Sequence, residues 1–297
     1  MFNDISISKL GLQQKQNATS SVQAKTEDTS IFGNNLIEDK KTLTKEEIKA
    51  EKKAKKEAEK AERERIKNTP DGIIQGGRQG SNAGDCWLLA QMNSMSKTPW
   101  GKKAFKDAIT KEQDGSFTVH FKGIDKDVKI SQKEFEKAQK NSYYSSGDAD
   151  PLLLELAVEK HFKETNLNEG TISGNSLAGK DSLQYLMTGN LGRETTNRDV
   201  AEMILKSMGQ DKENNNGISA TYVYYDKEQG SGGTSHAISV QSVNLNDKGE
   251  IKDVVLLDSY KPDRPYKKDY RTFMDEMQLF GFTRITQQDG EKVAEAK

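Results

Sequence analysis

The chain contains a single cysteine, Cys86, whose surroundings suit a nucleophile. A glycine-containing stretch, residues 79–85 (QGSNAGD), precedes it, and an apolar run, residues 86–96 (CWLLAQMNSMS), follows it. Glycines permit a tight loop, and the apolar run predicts a buried helix. Cys86 would begin that helix, where free amide groups and the positive end of the helix dipole favour a thiolate. This pattern predicts a catalytic thiol. The alternative is a small buried apolar side chain, the usual role of an isolated cysteine.

A thiolate nucleophile usually works with an imidazole, and the chain has three histidines. His120 alternates with apolar residues in a predicted hairpin strand, which indicates a structural or exposed strand residue. His161 lies between lysines on a predicted amphipathic helix, which indicates a surface residue. His236 follows a glycine-containing loop and opens an apolar strand, so it is well placed at the rim of a cleft. We therefore predict His236 as the base. The alternative is an ordinary histidine at the end of a strand.

Two further residues could complete the site. Asp258 ends an apolar run that follows His236 after enough residues for two strands and a turn. If those strands are antiparallel neighbours, its carboxylate can orient the imidazole; otherwise it is a strand-terminating turn residue. The side-chain amide of Gln79 and the backbone amide of Cys86 are candidate donors to a tetrahedral oxyanion. Asp85, beside the nucleophile, is predicted to be a loop or helix-start carboxylate rather than a base.

The elements that must position these residues follow a polar N-terminal region. Residues 1–38 are rich in Ser, Thr, Gln and Asn and predict a disordered leader. Residues 39–69 are mostly charged or alanine, and Thr44 with Glu47 resembles a capping box, so we predict a charged helical arm. This arm is a solvated helix or spacer, with a partner-binding arm as the alternative. Residues 70–297 are predicted to form the catalytic domain.

Within this domain helices come first and strands last, which predicts an α+β fold. We expect a helical lobe over about residues 73–210 and a β lobe over about residues 211–287. A turn is indicated at Pro99-Trp100-Gly101, after the first helix. The predicted helices cover 86–96, 151–164, 182–188 and 198–208, the hairpin covers 117–130, and the strands cover 220–225, 236–243 and 251–258.

The composition excludes several classes of protein. With 45 basic and 46 acidic residues the formal net charge is −1, which gives no general attraction to nucleic acid. We find no apolar stretch long enough to span a membrane, and we expect no Sec signal peptide, because the N-terminus lacks a charged start followed by an apolar run. One cysteine cannot form an internal disulfide, and with three histidines it argues against a structural zinc site. A bacterial protein is expected, cytoplasmic or secreted without a Sec signal, and the sequence does not choose between these locations.

Two motifs resemble the calpain family of papain-like cysteine proteases. Residues 84–90 (GDCWLLA) match the nucleophile motif of that family, and residues 235–240 (SHAISV) are similar to its histidine motif. The resemblance spans about residues 73–287. It implies a papain-like fold in which a helical lobe carries Cys86, a β lobe carries His236, and the cleft between them binds an extended peptide. The similarity is weaker over the hairpin 117–130, the helix 152–160 and residues 270–286.

Three departures from the family pattern accompany this resemblance. Asp258 stands where the family usually has Asn, and residues 259–262 (SYKP) replace its Pro-Trp-Gly. Gln79 lies one residue farther from the cysteine than the oxyanion glutamine of the family. We find no calmodulin-like calcium module after the catalytic region, and the acidic calcium loops of the family's protease core cannot be matched, so calcium is implied by the resemblance alone. Residues 244–250 are acidic but lack the spacing of a calcium loop, so we predict a hairpin turn there.

The function expected from these residues is that of a cysteine endopeptidase acting on protein or peptide substrates. The same residues could also serve an acyl-transfer enzyme, such as a deamidase or a transglutaminase, that acts on a partner protein. A third possibility is a non-catalytic module that binds a partner through its charged arm. No cofactor is required by the residues themselves, and no metal-binding residues are predicted.

Overall fold

The structure, a computed structural model, describes residues 45–81, 83–174, 177–214, 217–226 and 234–285. The predicted leader at 1–38 and the capping residue Thr44 lie outside the described residues. So does the glycine-containing loop before His236, up to residue 233. No helix of the described residues is long and apolar enough to cross a membrane.

Helix α1 (Lys45–Asn68) forms the predicted charged arm and has no buried residue. The chain divides into two compact units, Met1–Ala50 and Glu51–Lys297, and the division falls within α1. Two contacts hold the C-terminal end of the helix. Arg65 forms an ion pair with Asp71, and the Gln139 side chain donates to the carbonyl of Lys67 over 3.4 Å.

The part of the chain between α1 and the end of α6 at Thr188 is mainly helical. A three-stranded antiparallel sheet, in the order β1-β2-β3, contains the predicted hairpin. Apolar side chains of its strands and of the surrounding helices share one core. The elements are α2 (Cys86–Met95), α3 (Pro99–Ala108), β1 (Ile109–Lys111), β2 (Phe117–Phe121), β3 (Lys126–Ile130), α4 (Gln132–Gln139), α5 (Ala149–Thr165) and α6 (Leu183–Thr188), with short 3₁₀ segments at Lys122–Ile124 and Leu167–Gly170.

Helix α3 begins where the sequence indicated a turn. The Thr98 side chain caps it by accepting a hydrogen bond from the Gly101 amide over 2.9 Å, and Pro99 occupies its first turn. Proline is favoured there because the first amide groups of a helix lack an internal partner and the fixed φ of the ring suits the helix. The turn signal at Pro99 was therefore a helix start, and the predicted loop is wrong.

The remaining elements build a six-stranded antiparallel sheet in the order β4-β9-β5-β6-β7-β8. Strands β6 and β7 are neighbours, as required if His236 and Asp258 are to meet, and Ser239 pairs with Leu257 near their shared end. The elements are β4 (Arg193–Thr195), α7 (Arg198–Gln210), β5 (Ile218–Asp226), β6 (Thr234–Leu245), β7 (Ile251–Leu257), β8 (Tyr266–Asp269), α8 (Tyr270–Glu276) and β9 (Leu279–Arg284).

Two elements that precede β5, strand β4 and helix α7, pack with the six-stranded sheet. Strand β4 pairs with β9, and α7 buries Ala201 and Leu205 in the core of the six-stranded sheet. Helix α7 is amphipathic and must cover its apolar face, but its sequence does not specify which surface covers it. The α+β class is confirmed, with mixed helices and antiparallel sheets.

His161 is buried, contrary to the predicted surface position. Helix α5 is covered along most of its length, and the imidazole lies against Phe121 and Phe162, with ring centroids 5.9 and 6.1 Å away. Burial, reinforced by the Lys126 charge, lowers the pKa of His161. His120 is partly exposed and its Nδ1 bonds to Asp127 over 2.7 Å. His120 therefore lies on β2 and His161 on α5, whereas His236 lies on β6.

Candidate active site

The loop before Cys86 is fixed by close backbone contacts. Arg78 and Ser146 exchange two backbone hydrogen bonds of 2.8 and 2.9 Å. At Gly80 a Cβ atom would lie 2.0 Å from the carbonyl oxygen of Tyr143, so only glycine fits this approach. Gly84 has φ +63° and a Cβ there would lie 2.3 Å from Ser173 Oγ. The glycines of this loop therefore serve to bring the backbone close to its neighbours and lead it into α2.

Cys86 is the first residue of α2, as predicted. It is only partly buried, whereas every following residue of the helix is buried. The helix is anchored at both ends. The Trp87 indole N–H donates to the carbonyl of Ile172 over 2.7 Å, and Ser94 Oγ lies 2.7 Å from Ser219 Oγ of β5. A rigid buried helix thus presents one partly accessible thiol at its N-terminus, where the first amide groups have no partner within the helix.

His236 and Asp258 meet at the ends of β6 and β7. The imidazole Nε2 lies 3.0 Å from Asp258 Oδ1, which also accepts a hydrogen bond from the Tyr260 amide over 2.9 Å. His236 is 3% exposed, and 19% of the Asp258 side chain is exposed. Because Nε2 faces the carboxylate, Nδ1 is the ring nitrogen that remains for Cys86.

The electrostatics of His236 connect it to both partners. Burial disfavours the charged imidazole, yet hydrogen bonds with the side chains of Asp258 and Cys86 raise the pKa of His236 to about 9. Burial also acts against the ionised Asp258, but the hydrogen bonds from His236 and from the Tyr260 amide lower the pKa of this carboxyl. The fold therefore favours an imidazolium between a carboxylate and the Cys86 sulfur at neutral pH.

Two aromatic rings enclose the imidazole, and sequence reasoning assigned a role to neither of them. Tyr260 stacks on His236, with ring centroids 4.9 Å apart and an interplanar angle of 19°. Tyr224, the β5 residue paired with His236, meets it edge-on at 5.9 Å. These rings limit rotation of the imidazole and reduce its contact with water. Tyr260 could have been identified from the sequence, because it lies only two residues after Asp258.

Gln79 lies beside the same group of residues. Its side chain is buried, and Oε1 accepts a hydrogen bond from Ser259 Oγ over 2.9 Å. Its backbone amide donates to the Ser259 carbonyl, also over 2.9 Å. Because Oε1 is occupied by the hydroxyl, the NH₂ group of the side chain is the part available to donate to an oxyanion. Ser259 directly follows Asp258, so the contact joins the loop before Cys86 to the end of β7.

The structure therefore places the four predicted residues in one group of contacts. His236 bonds to Asp258 and interacts with Cys86, and Gln79 bonds to the neighbour of Asp258.

Asp85 caps α2 by position, but its side chain makes no capping hydrogen bond. Among the described residues no group of three or more His, Cys, Asp or Glu side chains could hold a metal ion. The predicted turn lies between the end of β6 at Leu245 and the start of β7 at Ile251, and in it Asn246 Oδ1 accepts from the amides of Lys248 and Glu250 over 2.9 and 3.0 Å.

Asp258→Asn tests the electrostatic coupling without assuming any reaction. Asparagine retains an oxygen that can accept from Nε2 but removes the negative charge. We expect the pKa of His236 to fall from about 9 to about 8 or below. The measurement is an NMR titration of the imidazole protons, which is practical with three histidines in the chain.

The matched control is Asp127→Asn, which removes the exposed carboxylate beside His120. This variant should leave the titration of His236 unchanged. An unchanged titration in Asp258→Asn as well would show that Asp258 does not stabilise the charged imidazole.

The chain matches no family model. No curated protein matches it.

Proposed function

We propose that this protein is a cysteine endopeptidase with a papain-like, calpain-like catalytic domain. One observation carries the proposal: a buried imidazole with a raised pKa lies between the Asp258 carboxylate and a thiol at the start of a buried helix. This is the arrangement that a nucleophile, its base and an orienting group require. The resemblance of residues 84–90 and 235–240 to the calpain motifs, and the helices-then-sheet order of the chain, support the same conclusion.

The first half of the reaction forms a thioester. The Cys86 thiolate attacks the carbonyl carbon of the scissile peptide bond, and the charge develops on the carbonyl oxygen. The Gln79 NH₂ group and the Cys86 amide donate to that oxygen. The His236 imidazolium gives its proton to the leaving nitrogen, the C–N bond breaks, and the amine departs. Asp258 holds the ring so that Nδ1 faces the sulfur throughout.

The second half returns the enzyme to its starting state. Neutral His236 takes a proton from water, and the resulting hydroxide attacks the thioester carbonyl. The C–S bond breaks, the carboxylic acid product leaves, and the sulfur and imidazole again form the thiolate–imidazolium pair. The Asp258 carboxylate stabilises the imidazolium whenever it forms, without itself accepting the proton.

Product analysis tests this function directly. Denatured casein incubated with the protein at neutral pH should acquire new N- and C-termini, identified by mass spectrometry of the peptides. Pretreatment with iodoacetamide, followed by peptide mapping of the carboxamidomethyl group to Cys86, should stop the appearance of these termini. Termini that form equally well after complete alkylation of Cys86 would contradict the proposal.

The same spectra separate the remaining functions. Glutamine side chains that gain about one mass unit, without new termini, would identify a deamidase, and crosslinked lysine–glutamine pairs would identify a transglutaminase. A thiol that resists iodoacetamide at neutral pH, with no substrate modified, would identify a non-catalytic binding module. The assay is run with calcium and with a chelator, because calcium dependence is implied by the family resemblance alone.

A further inference from the structure

Two carboxyl groups are fully buried, one of them on the residue next to the nucleophile. Asp85 directly precedes Cys86, and Glu155 is on α5. Both residues are 0% exposed. Carboxyl groups are rarely buried so completely unless they are paired or hydrogen-bonded. The location is significant, because α2 begins at the next residue after Asp85.

The hydrogen bonds around this pair are incomplete. Glu155 Oε2 accepts from the amide and the hydroxyl of Ser145, both over 2.8 Å. In contrast, Glu155 Oε1 and both carboxylate oxygens of Asp85 find no donor among the described residues. Ionised carboxyl groups are acceptors only. Among the described residues, these three oxygens lack a donor within hydrogen-bond distance, and a proton held by one of the two carboxyl groups would supply one.

Position favours Glu155 as the protonated group, because Asp85 occupies the N-cap of α2, where the positive end of the helix dipole stabilises a negative charge. Burial raises the pKa of Glu155 well above its ordinary value, and the charge of Asp85 together with a hydrogen bond to it raises that pKa further. Burial also raises the pKa of Asp85, but the side chains of Glu155 and Gln79 act in the opposite direction. Two adjacent buried carboxyl groups cannot both ionise readily, so one proton is retained between them.

We propose that Glu155 is a neutral carboxylic acid that donates through Oε1 to the Asp85 carboxylate, and that this pair positions the Gln79 amide for the oxyanion. The inference rests on the proposed endopeptidase function. Asp85 supplies the negative charge that interacts with the Gln79 amide, while Ser259 holds the oxygen of that amide from the other side. Glu155 is thus a positioning residue, which acts through Asp85 and does not touch the substrate.

Substitutions at Glu155 separate this role from simple packing. Glu155→Gln keeps an N–H to donate to Asp85 and a carbonyl to accept from Ser145, and it is neutral at every pH. Glu155→Leu removes the donor. We expect Glu155→Leu to lower kcat on a peptide substrate by about 10- to 100-fold, and Glu155→Gln to stay within about threefold of the wild type.

The rate of Cys86 alkylation by iodoacetamide provides the contrasting measurement. Alkylation needs the thiolate but no oxyanion donor, so both Glu155 variants should stay within about twofold of the wild type. Gln79→Ala should lower kcat by about 100- to 1000-fold. Gln79→Ala combined with Glu155→Leu should lose little more than Gln79→Ala alone, because residues that act as one unit are not additive.

Several results would overturn the proposal. These are wild-type kcat in Glu155→Leu, an equal loss in Glu155→Gln and Glu155→Leu, or losses from Gln79→Ala and Glu155→Leu that multiply in the double variant.

If Glu155→Leu fails to fold, infrared difference spectra between the wild type and Glu155→Gln at neutral pH show whether Glu155 is protonated. The carbonyl band of a protonated carboxylic acid should be present in the wild type and lost in the variant; its absence from the wild type would refute a neutral Glu155. Failure of the endopeptidase function is distinguishable, because the wild type would then cleave no peptide whatever the infrared spectra show.

Discussion

Replacement of Cys86 by alanine is expected to lower kcat/KM for peptide cleavage by about 10⁴-fold or more. The thiolate is the nucleophile that attacks the scissile peptide bond, and the chain has no second cysteine to replace it. The fold should persist, because Cys86 is only partly buried and the anchoring contacts of α2 come from Trp87 and Ser94. Cleavage is measured by chromatography of the casein peptides, and folding by thermal unfolding followed by circular dichroism.

Cys86→Ser is the matched variant for this experiment. It preserves the shape of the side chain but provides a hydroxyl that does not ionise at neutral pH, so its loss of activity should be nearly as large. Cleavage by Cys86→Ala within about tenfold of the wild-type rate, in a preparation free of other proteases, would remove the basis of the proposed function.

The second large effect is expected from His236→Ala, which should also lower kcat/KM by about 10⁴-fold or more. The imidazole donates the proton to the leaving amine and later removes one from water, and no other described histidine lies against Cys86 or Asp258. His120→Ala is the control, because that histidine is partly exposed and bonded to Asp127 in the hairpin. Its cleavage rate should match that of the wild type.

The effect of His236→Ala on stability should depend on pH. The pKa of His236 is raised in the folded protein from its ordinary value of 6.5 to about 9. The charged form therefore stabilises the fold fully below about pH 6.5, and this contribution is lost as pH rises through about 9. The difference in the free energy of unfolding between wild type and variant, measured in urea, should thus be larger at pH 6 than at pH 10. A difference that grows with rising pH would contradict the charged state assigned to His236.

The local features of the site were predictable from the sequence. A glycine-containing loop followed by an apolar run placed Cys86 at the first residue of a buried helix, and the structure begins α2 at that residue. Two β-branched runs separated by a turn predicted the strands that carry His236 and precede Asp258, and β6 and β7 follow them. These predictions succeed because caps, turns and periodicity arise from interactions between residues that are close along the chain.

Packing was less predictable, because one amphipathic pattern fits several surfaces. The sequence of α7 required some apolar neighbour, and only the folded chain shows that the six-stranded sheet provides it. The lysines beside His161 suggested an exposed position, yet α5 is covered on this side as well. Pro99 indicated a turn, but the Thr98 cap makes it the start of α3.

From the sequence alone, then, candidate catalytic residues and the local elements that carry them could be predicted. Tertiary structure decided how those elements meet: the strand register that sets Asp258 against His236, the contact of Gln79 with Ser259 across a separation of 180 residues, and the burial of Glu155 behind Asp85. The physical reason is that a local pattern fixes the direction of a side chain relative to its own helix or strand. The partner it meets depends on how distant elements share one interior, and burial there also sets the protonation of the groups enclosed.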